Sequence, residues 1–368
     1  MQDAGKIGPV QLRKLVILFM LGRAILMTPS ILATEAGQDA WISSAGALLI
    51  GILIVYMYRK FVELFPRMTL AEYSRMLLGN WVGKAVALLF FFHACLHGSI
   101  IARSLGVFMA STMMPETPIE WIMGMFLFAA AVGVRNGLEN IGRTADVFFL
   151  LLMSLFIVFV VSAIPQIELE NLQPVMGKGA QPVLRGMYQQ LGFPYMNLVL
   201  FLMIFPFVVK TDEAKKAFTQ GTLIGGVCML IVTLLCILVL GSEGTANELF
   251  PTYELAKTIE IGMFIQRVEA ILAVIWFISI YFQEVVVYYA AVLIIVQTFK
   301  LADHRPLVFP LAFMLLPSAL IIAPNVSILL DFTLTAWTSY TLTFGLFIPF
   351  ILLVAAFVRR PRNRRTTG

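Results

Sequence analysis

Charge is what this sequence has least of: 13% of its 368 residues are Asp, Glu, Lys or Arg and 60% are apolar, whereas an average soluble domain is about 25% charged and roughly 45–50% apolar. That balance excludes a soluble globular protein. Cysteine is nearly absent as well. Cys95, Cys228 and Cys236 all fall inside apolar runs, where they act as small hydrophobes and make neither a disulfide framework nor a zinc spacing. Nucleophile elbows, phosphate loops and metalloprotease motifs are missing, which argues against an enzyme. Without a Walker motif, any transport is secondary or facilitated, and no cofactor is implied.

What the chain does have is repeated apolar runs near the roughly 20 residues that a membrane helix needs. Ten spans are expected: 11–34, 41–62, 82–113, 119–134, 144–164, 187–209, 220–241, 264–299, 306–323 and 328–358. The third, eighth and tenth exceed the bilayer and must tilt or project. The first follows Lys6, Arg13 and Lys14 but is too long for a secretory signal, and nine more follow it. Basic residues concentrate on alternate loops, among them Arg59, Lys60, Arg67, Arg75, Lys84, Arg135, Arg143, Lys210, Lys215, Lys216, Lys300, Arg305 and the tail Arg359, Arg360, Arg362, Arg364 and Arg365. This bias puts both termini in the cytoplasm. Only Lys178, Arg185, Lys257 and Arg267 remain outside, while Glu35, Asp39, Glu116, Glu120, Glu168, Glu170, Glu243, Glu248, Glu254 and Glu260 fall on external loops. The net charge of +5 is therefore topology and calls for no nucleic acid. Trp41, Trp81 and Trp121 fall at span ends, as an aromatic belt requires.

No linker or low-complexity run divides the chain, so residues 1–358 form one transmembrane domain and 359–368 a basic cytoplasmic tail. The longest connections, Pro165 to Gly186 and Ser242 to Met263, are external, and Leu255, Ile259 and Phe264 give the second an amphipathic pattern. Between the second and third spans, Thr69 and Glu72 have the spacing of a capping box that opens a short helix to Leu78. Glycine and proline interrupt two spans: Gly22 and Pro29 break the first, Gly192 and Pro194 the sixth. These occupy equivalent places in successive sets of five, and an odd set makes the second enter from the opposite side. The pattern is that of an inverted-repeat transporter, with repeats at about 11–164 and 187–358. Broken helices expose backbone groups that only protein or a polar cavity can satisfy at membrane depth.

Ionisable side chains at that depth cost at least about 2.5–3.5 kcal/mol, so each needs a reason. Arg23, Glu284, His93 and His97 are the central ones. Arg23 and Glu284 either form a structural ion pair or act in ligand binding or gating. Tyr288 lies one turn beyond Glu284 on the same face. His93 and His97 share a face, but no carboxylate or thiolate joins them on that face of the helix, so a hydrogen-bonded packing pair is expected rather than a metal site. Arg103 is expected to snorkel or to pair with an external acid, Arg267 and Glu269 to form an interfacial pair, and Asp146 to balance the nearby Arg143.

The string GRAILMTP at 22–29 resembles the first-helix GxGIFxxP signature of the amino acid/polyamine/organocation transporter superfamily, with Gly22, Ile25, Leu26 and Pro29 matching. More specific are EAGQDAWIS at 35–43 and FPTYELAKTIEIGMFIQRVEAILAVIW at 250–276. On a chain of this length they resemble the spore germination permease family, the B subunits of GerA-type germinant receptors. The resemblance implies an all-α, polytopic LeuT-type fold, a 5+5 inverted repeat with broken helices 1 and 6. It further implies residence in the spore inner membrane and assembly with an A-type membrane subunit and a C-type lipoprotein. Such a subunit binds a small germinant, commonly an amino acid, and signals to its partners. The expected ligand-binding residues are Gly22, Arg23, Ala24, His97, Gly192, Tyr195, Glu284 and Tyr288. Ala24 replaces the signature's second glycine, and Arg23 places a cation beside it. A stand-alone amino acid permease and a scaffold that binds no ligand are the alternative readings.

Overall fold

The computed structural model describes residues 5–259 and 267–358. Glu260, Phe264 and the basic tail from Arg359 lie outside the described residues. The first span consists of two helices, α1 (Pro9–Leu21) and α2 (Ala24–Ala36), followed by α3 (Ala40–Leu64), the short α4 (Leu70–Leu78), α5 (Asn80–Phe108), α6 (Ile119–Arg135) and α7 (Leu138–Ala163). The second half begins with α8 (Ala180–Leu191), which continues after a break as a 3₁₀ run over Tyr195–Met203. Then come α9 (Thr211–Asn247), α10 (Pro251–Thr258), α11 (Val268–Phe299) and α12 (Arg305–Ile322), and a last span in three pieces, α13 (Val326–Asp331), α14 (Trp337–Leu342) and α15 (Ile348–Val358).

Among the described residues, seven helical stretches are long and apolar enough to cross a membrane, consistent with ten spans. The breaks leave α1 with 13 residues and α8 with 12, and α6 has 17, so none of these qualifies by its own length. The broken helices occupy the middle: α1 packs on α9 and α11, and α2 on α8, α9 and α10. The Thr69 capping box forms as expected, Thr69 N–H donating to Glu72 at 2.9 Å and Glu72 N–H to Thr69 Oγ1 at 3.4 Å. The seventh span ends at its expected Gly241, whose φ of 72° kinks α9; the left-handed region suits glycine. Leu255 and Ile259, of the segment with the amphipathic pattern, are buried.

One expectation is corrected: the first span breaks at Gly22 and Arg23, and Pro29 sits inside intact α2. Proline there has no N–H for the carbonyl of Ile25 one turn earlier. Thr252 Oγ1 of α10 donates to that carbonyl at 2.7 Å instead. A side chain from another element thus satisfies the group that proline orphans, and the helix continues.

The face bearing the basic residues is laced by polar contacts. Lys14 Nζ lies 2.5 Å from Asp146, and Gln11 donates to the same carboxylate at 2.9 Å. Asp146 therefore ties α1 to α7 and does not balance Arg143, which pairs with Glu139 at 2.6 Å. Ile7 exchanges backbone hydrogen bonds with Phe207 and Val209, holding the start of the chain to the end of the sixth span. Arg267 and Glu269 form the expected pair at 3.5 Å.

Candidate functional site

Gly22 is a glycine because α11 passes too close for anything larger: a Cβ there would lie 2.3 Å from Gln283 Oε1. The same oxygen accepts the backbone N–H of Arg23 at 2.8 Å. At the second break, the carbonyl of Gly192 accepts from Trp337 Nε1 and from Asn197 Nδ2, each at 3.0 Å. A Cβ on Gly192 would lie 2.5 Å from Thr338 Oγ1. Side chains of α11, α14 and the 3₁₀ run thus satisfy backbone groups that the breaks release, as a low-dielectric interior demands.

The side chain of Arg23 joins the two breaks. Its guanidinium lies over the Phe193 ring at 4.5 Å and over Trp337 at 5.5 Å, distances at which a cation is attracted by the ring face. Nη1 donates to Ser104 Oγ of α5 at 3.4 Å, while Nε and Nη2 have no hydrogen-bond partner among the described residues. The residue is 1% exposed. His97 flanks the group, 5.3 Å from Trp337 and edge-on to Phe19 at 6.3 Å. His93 stacks on Phe344 at 4.5 Å and both histidines are packed among rings, but His93 Nδ1 and Nε2 and His97 Nδ1 have no hydrogen-bond partner among the described residues, so the pair is packed without the expected hydrogen bonds.

Three expected site residues lie elsewhere. Glu284 does not pair with Arg23; its carboxylate is buried against Gly98 of α5, with no hydrogen-bond partner among the described residues. Successive helical residues diverge by about 100°, so with Gln283 turned to the break, Glu284 faces another helix. Tyr288 donates its hydroxyl to the Val308 carbonyl of α12. Tyr195 fills a seam between α3 and α9, where Cβ atoms on Gly51 and Gly226 would fall 2.2 Å and 2.8 Å from its ring and hydroxyl. Arg103, expected to snorkel or meet an acid, donates to the Pro324 carbonyl at 2.8 Å. Gly22, Arg23, Ala24, Gly192 and His97 do line the centre, all of them buried. Gln283, Ser104, Phe193, Asn197 and Trp337 join them unforeseen; a glutamine within an apolar span was the one available signal for Gln283.

A cavity of about 190 Å³ opens on the face opposite the basic residues, lined by Met27, Ser30 and Ile31 of α2 and by Leu330, Thr333 and Leu334 of the last span. Met27 follows Arg23 by one turn and Leu334 precedes Trp337 by one turn, so the cavity begins just beyond the centre. It is of small-molecule size.

Comparison with known proteins follows the same lines. The family described as "Spore germination protein" matches residues 6–327. "Spore germination protein KB" of Bacillus subtilis (strain 168) is 26% identical over 371 residues, covering 100% of this chain and 98% of that protein. "Spore germination protein YndE" of the same organism is 27% identical, covering 80% of this chain and 82% of its own length. Among solved structures, a nucleobase-cation-symport-1 family transporter in a closed conformation with bromovinylhydantoin bound gives a TM-score of 0.73 at 12% identity, over 95% of this chain and 78% of that one. MhsT in complex with L-phenylalanine gives 0.66 at 12% identity, over 96% and 99%. A substrate-bound Na⁺-coupled sialic acid symporter gives 0.69 at 9% identity, over 96% and 90%. At these identities the likeness is one of fold, and the fold is the LeuT type with its first and sixth helices broken.

Proposed function

This chain belongs to the spore germination protein family, and on that premise we propose that it is the nutrient-sensing membrane subunit of a germinant receptor. It binds a small molecule, most simply an amino acid, at the midplane between its two broken helices. Binding is passed to an A-type membrane subunit and a C-type lipoprotein in the spore inner membrane, with both termini of this chain in the cytoplasm. The role is recognition and signalling, and no reaction on the ligand is needed.

The observation that carries this reading is the contact of Arg23 with Phe193 at 4.5 Å. It puts a buried charge from the first break on an aromatic ring from the second, so a ligand bound beside that contact touches groups from both breaks. Membrane-depth charges of this kind line ligand or ion paths far more often than lipid-facing surfaces. The small cavity one turn away supplies an approach from the opposite face.

A thermal-shift screen of the purified full-length chain in detergent tests the reading, since a ligand that binds only the folded state raises Tm. A stabilising amino acid whose effect disappears in Gly22→Leu is the expected result. A folded protein stabilised by no small nutrient would sink it. The permease reading draws on the likeness to ligand-bound symporters, and it requires labelled amino acid to accumulate in vesicles that hold this chain alone.

A further inference from the structure

The Arg23 guanidinium is enclosed on nearly every side. Phe193 and Trp337 lie within 4.5 Å and 5.5 Å of it, and Nη1 is engaged by Ser104 Oγ at 3.4 Å. What remains is Nε and Nη2, both buried and both without a hydrogen-bond partner among the described residues. The pairing of these two atoms matters. Nε–H and one N–H of Nη2 point the same way along a single edge of the planar group, spaced to meet the two oxygens of a carboxylate through parallel hydrogen bonds. Had the two nitrogens been on different edges, a water or a carbonyl apiece would serve as well.

A buried guanidinium without an anion carries a large desolvation cost. Among the described residues no anion of the chain's own meets it, and Glu284, the acid expected at similar depth, is turned against Gly98. Aromatic rings flank the planar faces of Arg23, so an incoming group has only the buried, unpaired Nε–Nη2 edge to bond. Among the described residues no acidic side chain hydrogen-bonds or forms an ion pair with any nitrogen of Arg23, so a ligand that carries only positive charge is repelled.

We propose that Arg23 clamps the carboxylate of the ligand side-on through Nε and Nη2, and that the site therefore selects carboxylate-bearing nutrients over neutral sugars and nucleosides. This rests on the reading of the two breaks as one ligand site. The arginine side chain, rather than a bare helix end, is the anchor, and the rest of the ligand packs on Phe193, Trp337 and His97.

The test is a thermal-shift and equilibrium-binding comparison on the full-length wild-type chain in detergent, using each common L-amino acid beside its carboxamide, with glucose and inosine as neutral probes. The expected result is binding of at least one amino acid with its carboxamide weakened at least about tenfold, as the loss of a charge-assisted bidentate pair predicts. Arg23→Lys, which keeps the charge and loses the fork, is expected to weaken the acid by about tenfold or more, and Arg23→Gln to abolish the discrimination. The acid–amide comparison needs no variant, so it decides the matter even where Arg23→Gln fails to fold. Equal binding of acid and amide, or stabilisation by glucose or inosine alone, overturns the carboxylate clamp; if Gly22→Leu abolishes that binding, the ligand site itself still stands. No binding by any probe to folded protein overturns both.

Discussion

The backbone N–H of Arg23 donates to Oε1 of Gln283 at 2.8 Å, across 260 positions of sequence. This bond fastens the break of the first span to the middle of α11, and Gly22 makes it reachable by leaving no Cβ in the way. The geometry of the centre hangs on it, because the side chain of Arg23 starts from the backbone that Gln283 holds.

Gln283→Leu removes the acceptor and leaves a buried N–H unpaired, a loss of about 1–3 kcal/mol. The expected outcome is a lowered Tm together with weakened ligand binding. An unchanged Tm would mean that the bond does not stabilise the break.

Thr252 and Pro29 are coupled through the carbonyl of Ile25, which Thr252 Oγ1 satisfies because Pro29 cannot. Thr252→Val is expected to destabilise the protein by about 1–2 kcal/mol. In a Pro29→Ala background the restored N–H takes over that carbonyl, and the same substitution costs less. A double-mutant cycle measures the difference; additive effects would contradict the account.

Asp146 holds the basic-face end of α1 through Lys14 and Gln11. The pair is partly exposed, with side-chain exposures of 21% and 36%, so Asp146→Asn costs at most about 1 kcal/mol globally. Its local effect is larger: hydrogen exchange over 9–14 is expected to speed up, whereas Arg143→Ala leaves it unchanged because Arg143 is paired with Glu139. Equal effects of the two variants would refute the tie.

Gly51 makes room for the Tyr195 ring, 2.2 Å from where a Cβ would be. Gly51→Ala is therefore expected to cost about 1–3 kcal/mol through overpacking. Adding Tyr195→Ala relieves the clash, so the double variant should be more stable than the sum of the single effects. Strict additivity of the two Tm shifts would place Tyr195 elsewhere.

The breaks are legible because Gly22 marks the first and Gly192 with Pro194 the second, and Thr69 with Glu72 announces α4 by spacing alone. Directions around the helices were not legible. Spans that are apolar all round give no periodic clue to which side faces a neighbour, so an Arg23–Glu284 pair stays open in the sequence, whereas it is the adjacent Gln283 that makes the contact. Tyr195 was displaced for a related reason. After Pro194 the chain runs as a 3₁₀ helix, about three residues per turn, and side chains fall on other faces than an α-helix would give. Pro29 misled in the opposite sense, since its partner Thr252 comes from a helix more than two hundred residues away. Asp146 likewise found Lys14 through packing of α1 on α7, which local spacing cannot reveal.

The measurement that bears most directly on the central claim is a density map of the full-length chain bound to its best stabilising amino acid. The account predicts ligand density between the two breaks, in contact with Arg23 and flanked by Phe193 and Trp337. Well-resolved ligand density elsewhere, with Arg23 Nε and Nη2 still unpaired, would contradict it.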